Sequence, residues 1–528
     1  MKIIKNIPAK ILASQCVFPK LITEEYFSDK DYQENIFHLV ELGVGGFCIF
    51  GGTMKTTEKM ITELQKSSNI PLLFSADFEF GLPMRLKDGT AFPHAMALGK
   101  CNDSDITFNV AQAIAKEAKS IGILWNFAPV CDINSNPQNP IINIRSFGIN
   151  PEIVIKHSKA FIEGTQSENI LACAKHFPGH GDTSIDSHLN LPILNFNEDR
   201  IEKFELHPFI EAIKSGVKSI MVGHLAVPAL DESGVPASLS PIIITKLLRE
   251  KLKYEGLIVT DALDMLSITN SYSSGDAAIK AISAGADIAL MPENPLEAID
   301  TLEELALKDE TFFLKLLSSV NKIIDSKKWC GLLDKDFDIK KYFSTGNKIQ
   351  STFKKGDKVP FDVHDKLALK AAFNGLEIHG NSSMLPIPKG KIIGGFAFLQ
   401  TDDIEMPTLF FKFLAQAIDN DCDFGFIDET ITDDEIKSFS DSIKNVDILL
   451  LAFFYRARAY KGSAGIPERL KDIANKLSIG KNVIVILFGN PYLENDIKAD
   501  TYILPYTDTI PGVAASILVL SGREIPKQ

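Results

Sequence analysis

The chain is 528 residues long, more than one hydrophobic core usually organises, so two domains are expected, one of them large enough to be a barrel. Hydrophobic residues make up 45% and charged residues 23% of it, with 35 phenylalanines, a composition of globular enzymes that excludes a disordered or fibrous chain. The 68 acidic and 55 basic residues leave a net charge of -13, which repels polyphosphate backbones and argues against nucleic acid as a partner.

No run reaches the roughly 18 apolar residues of a spanning helix, so integral membrane association is not expected. At the start, Pro8 and Lys10 interrupt the apolar stretch that a signal peptide needs after Met1-Lys2-Ile3-Ile4-Lys5, and Gln15 precedes Cys16 where a lipoprotein signal has a small residue. The 7 cysteines are odd in number and lack CxxC spacing, and several sit in apolar runs such as Gly46-Phe47-Cys48-Ile49-Phe50. They read as buried free thiols, which favours a reducing, cytoplasmic setting.

In chain order, short β-type runs alternate with amphipathic helical stretches to about residue 330, the pattern of βα units around a parallel sheet. Strands are expected at 11–18, 44–51, 71–77, 125–132, 170–176, 217–224, 256–261 and 286–292. Eight of them fit an α/β fold of the TIM (β/α)8-barrel type better than an open doubly wound sheet, whose first turn would carry a glycine-rich phosphate loop. Five of these runs end on a polar residue: Asp77, Asp132, His176, His224 and Asp261. Any one of them alone reads more readily as a strand-end cap or loop hydrogen bond. Five together point to one site at the C-terminal mouth of a barrel.

The barrel domain is expected over 1–335. A Lys/Asp/Gly-rich stretch without sustained apolar period then reads as a linker, 336–365. Runs at 391–399, 447–454 and 482–488 alternate with helices such as 466–477, predicting a smaller α/β sandwich domain over 366–528.

The densest chemistry lies in Lys175-His176-Phe177-Pro178-Gly179-His180-Gly181-Asp182-Thr183-Ser184-Ile185-Asp186-Ser187-His188, which puts three histidines and two aspartates on a strand and a Pro/Gly loop. These histidines do not share a helix face and have no cysteine neighbours, so no metal site is expected. Asp186, two residues before His188, can hold the imidazole in one tautomer and favour its charged form, giving a proton donor near neutral pH. An ordinary loop contact is the competing reading of that spacing. Asp261 ends an apolar strand and suits a carboxylate nucleophile, or else a helix cap. Asp264, the rival carboxylate, is expected within the first helical turn. His224 reads equally as a core histidine or a contact, and His180 as a residue that shapes the loop.

The segment 175–188 resembles the K-H-F-P-G-H-G…D-S-H signature of glycoside hydrolase family 3 β-N-acetylglucosaminidases, and matches at each of those letters. In the family's order, Asp77 and Arg85 resemble its sugar-binding pair, Asn126-Phe127-Ala128-Pro129-Val130-Cys131-Asp132 its N-x-A-P-V-x-D element, and Arg145-Ser146-Phe147 its R-S-[FY] element. Met221-Val222-Gly223-His224 and Gly256-Leu257-Ile258-Val259-Thr260-Asp261 are similar to its M-x-x-H and nucleophile strands. The second domain is similar at Lys461-Gly462-Ser463-Ala464-Gly465 and Phe488-Gly489-Asn490-Pro491. One departure stands out: where the family has D-Q-E-G-G, this chain has Asp77-Phe78-Glu79-Phe80-Gly81, two phenylalanines beside the sugar-binding aspartate.

The resemblance implies a retaining enzyme that removes non-reducing-terminal β-linked N-acetylglucosamine through a covalent Asp261 glycosyl-enzyme, in muropeptide recycling or chitooligosaccharide breakdown. It implies Asp186 and His188 as acid/base, Asp77, Arg85, Arg145, Lys175 and His176 as substrate-binding residues, and no cofactor. Three alternatives stay open: a β-glucosidase with its acid/base carboxylate in the second domain; a phosphorylase, because an imidazole does not repel phosphate; and a sugar-binding decayed barrel, which would be expected to have lost Asp261 or His188.

Overall fold

The computed structural model describes residues 7–183, 190–339, 348–356, 358–400, 404–456 and 465–524. Its first strand, β1, runs Val17–Phe18 and resumes after Pro19 as Lys20–Ile22; it is followed by β2 Gly46–Phe50, β3 Leu73–Ala76 and β4 Trp125–Asn126. Then come β5 Leu171–Phe177, β6 Ser219–Val222, β7 Leu257–Thr260 and β8 Ala289–Leu290. Adjacent strands pair in parallel from β1 to β7. Thr260 donates its backbone N–H to the Ile288 carbonyl, and Ala289 and Met291 donate theirs to Cys16 and Phe18, so the sheet closes through β8 back to β1. This is an eight-stranded parallel barrel with helices between its strands, among them Lys30–Leu42, Met54–Ser67, Ser104–Ser120, Pro151–Gln166 and Ser274–Ala284.

Two expected strands are corrected. Most of 11–18 is helix, Ala9–Gln15, and the strand begins only at Val17. An apolar run alone does not separate a buried helix from a buried strand, and Ala-Lys-Ile-Leu-Ala is good helix material. Within 125–132 only Trp125–Asn126 pairs as a strand. Pro129 has no N–H to donate, although Ala128 and Pro129 still accept hydrogen bonds from Cys173 and Lys175 through their carbonyls. Inside the barrel, buried Trp125 packs edge-on against Phe18 and Phe127 and donates its indole N–H to Ser219 Oγ at 2.7 Å, so its polar atom is satisfied.

The second domain is a six-stranded sheet made of β9 Glu377–Gly380, β10 Ile393–Leu399, β11 Cys422–Ile427, β12 Ile448–Phe454, β13 Asn482–Leu487 and β14 Thr501–Leu504. Its order is β9-β14-β13-β12-β10-β11, with β9 antiparallel at one edge. In β12, Leu449, Leu451 and Phe453 face one apolar cluster with helix Glu468–Leu477, while Leu450, Ala452 and Phe454 face another with helices Glu405–Ala417 and Ile510–Ser521. A strand buried on both faces reads as one continuous apolar run.

The two domains share surface. Helix Phe361–Gly375 packs against Ala95–Cys101 of the barrel and against Ile510–Ser521 of the second domain. Its His364 Nδ1 lies 2.6 Å from Glu117 Oε1. Asn134 Nδ2 donates to the Tyr492 hydroxyl at 2.7 Å, and Met96, Ala97 and Ile144 join the second domain's apolar cluster. Among the described residues, no helix is long and apolar enough to cross a membrane.

The contact is closest at Gly375, where a Cβ would lie 2.1 Å from the Ala97 carbonyl oxygen. Gly375→Ala is therefore expected to lower stability in urea unfolding by about 1–3 kcal/mol, the range of overpacked cores. Gly356→Ala, whose Cβ meets nothing nearer than 3.8 Å, serves as the control and should leave the midpoint nearly unchanged.

Candidate active site

The C-terminal ends of the barrel strands open into a cavity of about 420 Å³, lined by Asp77 after β3, Lys175 and His176 on β5, Asp261 after β7, and Arg85 and Arg145 from loops. Strict alternation would send Lys175 and His176 to opposite faces. The β5–β6 register shifts between Ala174 and Phe177, and this irregularity re-aims the pair so that both line the cavity.

Charge holds the floor together. Lys175 Nζ, on a side chain only 2% exposed, is 2.8 Å from Asp77 Oδ1 and 2.7 Å from Glu79 Oε1. Arg85 Nη2 donates to Asp77 Oδ2 at 2.5 Å. Arg145 grips Glu79 with two bonds, Nε at 2.9 Å and Nη2 at 2.7 Å, and donates Nη1 to the Ile141 carbonyl. Burial alone would raise the Asp77 carboxyl, but Lys175 and Arg85 outweigh it and hold it well below the usual carboxylate range. Glu79 is treated the same way by Arg145 and Lys175. For Lys175, burial opposes the charge while Asp77 and Glu79 more than restore it.

Asp132 organises the neighbouring loop. Its carboxylate accepts from the His180 backbone N–H at 2.8 Å and from the His176 backbone N–H, and its Oδ2 lies 2.7 Å from His176 Nδ1. That contact sets the Nδ1–H tautomer and turns Nε2 toward Arg145 Nη2, 3.5 Å away. His180 is buried, its ring pushed down to about 4 by burial and by His176, so it is neutral; its Nδ1 lies 2.8 Å from Thr183 Oγ1.

Asp261 sits past the end of β7, its N–H bonded to the Val222 carbonyl and its Oδ1 accepting from the Ala262 N–H at 2.8 Å. Asp264 occupies the turn before helix Leu266–Thr269 rather than the helix's first turn, and lies 3.4 Å from Lys20 Nζ. His224 is buried, with Nδ1 2.7 Å from Ser238 Oγ and Nε2 2.9 Å from the Ala262 carbonyl, so its polar atoms face protein rather than the cavity. Asp186 and His188 lie outside the described residues. Among the described residues, no cluster of three or more His, Cys, Asp or Glu could hold a metal ion.

The two phenylalanines divide. Phe78 is fully buried, its N–H bonded to Asn126 Oδ1 at 3.0 Å, while Phe80 lines the cavity with its ring 4.4 Å from that of His94. Sequence reasoning did not assign Glu79, Asp132, His94 or Arg456. Glu79 carried a signal, standing two residues from Asp77, and Asp132 was already visible as a polar strand end. Arg456 gave none: it reaches the cavity from the end of β12 in the second domain, anchored by Asp508 at 3.0 Å.

Residues 15–325 match the glycosyl hydrolase family 3 N terminal domain. The chain is 41% identical over 273 residues to β-hexosaminidase A of Pseudoalteromonas piscicida, covering 47% of this chain and 46% of that protein. It is 32% identical over 279 residues to a β-N-acetylglucosaminidase/β-glucosidase of Cellulomonas fimi, covering 51% and 49%. These alignments span about half the length of the relatives. In structure, it is similar to a glycoside hydrolase family 3 β-N-acetylglucosaminidase from Paenibacillus sp. str. FPU-7, with a TM-score of 0.82 and 27% identity over 98% of this chain and 97% of that one.

Glu79→Gln leaves Lys175 and Arg145 without their shared partner, and is expected to cost about 3–5 kcal/mol at pH 7, the cost of breaking a buried ion pair. Because the Glu79 carboxyl is held below 4.5, its stabilisation is complete above that value and fades as pH falls further. Urea unfolding from pH 7 to 3 should thus show a shallower acid decline in the variant than in the wild type.

Proposed function

Because the chain belongs to glycoside hydrolase family 3, we propose that it is a retaining β-N-acetylglucosaminidase that removes non-reducing-terminal β-linked N-acetylglucosamine, from muropeptides or chitooligosaccharides. The observation that carries this reading is the single cavity that gathers Asp261, Asp77, Arg85, Arg145, Lys175 and His176 at the C-terminal mouth of the barrel. Relatives named β-hexosaminidase and β-N-acetylglucosaminidase support the choice of sugar.

In the proposed reaction the Asp261 carboxylate attacks the anomeric carbon as the glycosidic C–O bond breaks, and the leaving oxygen takes a proton from the His188 imidazolium. Neutral His188 then removes a proton from water, which attacks the same carbon and releases Asp261. Asp186 orients the imidazole and favours its charged form. Asp77 accepts hydrogen bonds from sugar hydroxyls, with Arg85 and Lys175 fixing its carboxylate; His176 and Arg145 contact the sugar from the opposite end of the same charge network. A β-glucosidase reading would require a second-domain carboxylate at the cavity. Among the described residues the second-domain side chain there is a cation, Arg456.

A slow 2-deoxy-2-fluoro or 5-fluoro glycoside should label Asp261, and Asp261→Asn should abolish turnover of p-nitrophenyl β-N-acetylglucosaminide. Label recovered on Asp264 or on a second-domain residue in peptide mapping sinks the assignment. Faster cleavage of the β-glucoside than of the N-acetylglucosaminide sinks the substrate, and a sugar phosphate formed in phosphate buffer replaces hydrolysis by phosphorolysis.

A further inference from the structure

The segment bearing Asp186 and His188 leaves the barrel after Phe177 and returns through helix Glu198–Arg200. Its first stem is pinned by the His180 N–H on Asp132 and by Asn139 Nδ2, which donates to the His180 carbonyl at 2.9 Å. Its second stem is pinned at Leu194, whose N–H donates to the Ala226 carbonyl at 2.8 Å, while Ala226 donates to Pro192. These anchors fix each stem to the barrel separately.

Arg200 reaches both. Its guanidinium lies 4.0 Å from the ring centre of Phe196 on the second stem and 4.8 Å from that of Phe204. Nη2 of the same group is 3.5 Å from Asp182 Oδ2 on the first stem and 3.4 Å from Glu205 Oε1. Glu205 is buried directly beneath the loop: a Cβ on Gly179, at φ 132°, would lie 3.0 Å from Glu205 Cβ. Burial pushes the Glu205 carboxyl up to about 7 against the pull of Arg200, with Asp182 and Asp132 facing it and raising it further. Stacking between two rings while holding two carboxylates requires a flat, forked cation, which lysine is not.

We propose that Arg200 is a positioning residue for acid/base catalysis, its guanidinium tying the stems at 178–183 and 190–196 together over Glu205 in the service of proton transfer by His188. This rests on the reading of Asp186 and His188 as the acid/base pair. Arg200 acts through His188 and touches no reacting atom.

The test compares kcat/KM for aryl N-acetyl-β-glucosaminides of graded leaving-group acidity in the wild type, Arg200→Gln, Phe196→Leu, His188→Ala and the double variant His188→Ala/Arg200→Gln. General acid help is worth typically ~10²–10⁴-fold. Arg200→Gln is expected to lose on the order of 10-fold on the phenyl glycoside and little on the dinitrophenyl glycoside. Phe196→Leu removes the stacked ring and keeps the charges, so it reads the same contact if Arg200→Gln folds poorly. The double variant should be no slower than His188→Ala alone, as coupled residues require. Equal losses on all leaving groups, or losses that multiply with those of His188→Ala, overturn the role of Arg200 while leaving the dyad intact. A flat leaving-group dependence in His188→Ala itself overturns the dyad, and the proposal for Arg200 with it.

Discussion

A lysine that is 2% exposed keeps its charge at the end of a barrel strand because Asp77 and Glu79 both lie within 2.8 Å of its ammonium. Removing such an ion from water costs several kcal/mol unless its partners have excellent geometry. Two carboxylates two residues apart, Glu79 buried and Asp77 half-buried, would in turn repel each other, and Arg85 and Arg145 are what make them compatible. Three cations therefore stand on two anions, and each group depends on the others for its ionisation. The lattice ties the loop after β3, the loop bearing Arg145 and strand β5 into one rigid cavity floor. One positive charge remains over, which favours an anion in the same cavity; Asp261 lines it just past β7, while Asp264, which also lines it, lies 3.4 Å from Lys20 Nζ.

The same logic continues one strand along, at Asp132. Its two oxygens take hydrogen bonds from the His176 and His180 backbones and contact the His176 ring, so the segment after β4, the end of β5 and the loop beyond share one buried acceptor. Asn139 extends the arrangement, its Oδ1 accepting from the Ile141 and Ile142 N–H groups while its Nδ2 reaches His180. Loop position in this barrel is thus fixed by buried polar groups that bond to one another, which is where burial makes a hydrogen bond count most.

The sequence showed the barrel because its strands are buried on both faces and so read as continuous apolar runs, and it pointed to several residues that line the barrel-mouth cavity because those runs break at polar residues. It misread 11–18, since burial of Leu12 and Ala13 looks the same from a helix or a strand. It left Glu79 and Asp132 without roles, for a physical reason: their importance comes from pairing with Arg145, 66 residues away, and with His176, 44 residues away. Nothing local in either segment announces such a pair. Arg145 was expected to bind substrate, but its bidentate grip on Glu79 came only with the fold.

Phe80 shows how a departure from a family pattern is accommodated. Its ring lies on His94, whose Nδ1 is 2.8 Å from Thr507 Oγ1 of the second domain and 3.8 Å from Asp508. Asp508 in turn holds Arg456 at the cavity. Burial pushes His94 down to about 4, so it meets the ring as a neutral imidazole, a group that stacks without requiring a counter-charge. The added ring therefore lies on the line of contacts by which the second domain reaches the cavity, where a glycine would leave a gap between the barrel and its neighbour. That placement makes the second domain a wall of the cavity, joined to the barrel through hydrogen bonds at His94 and Asn134.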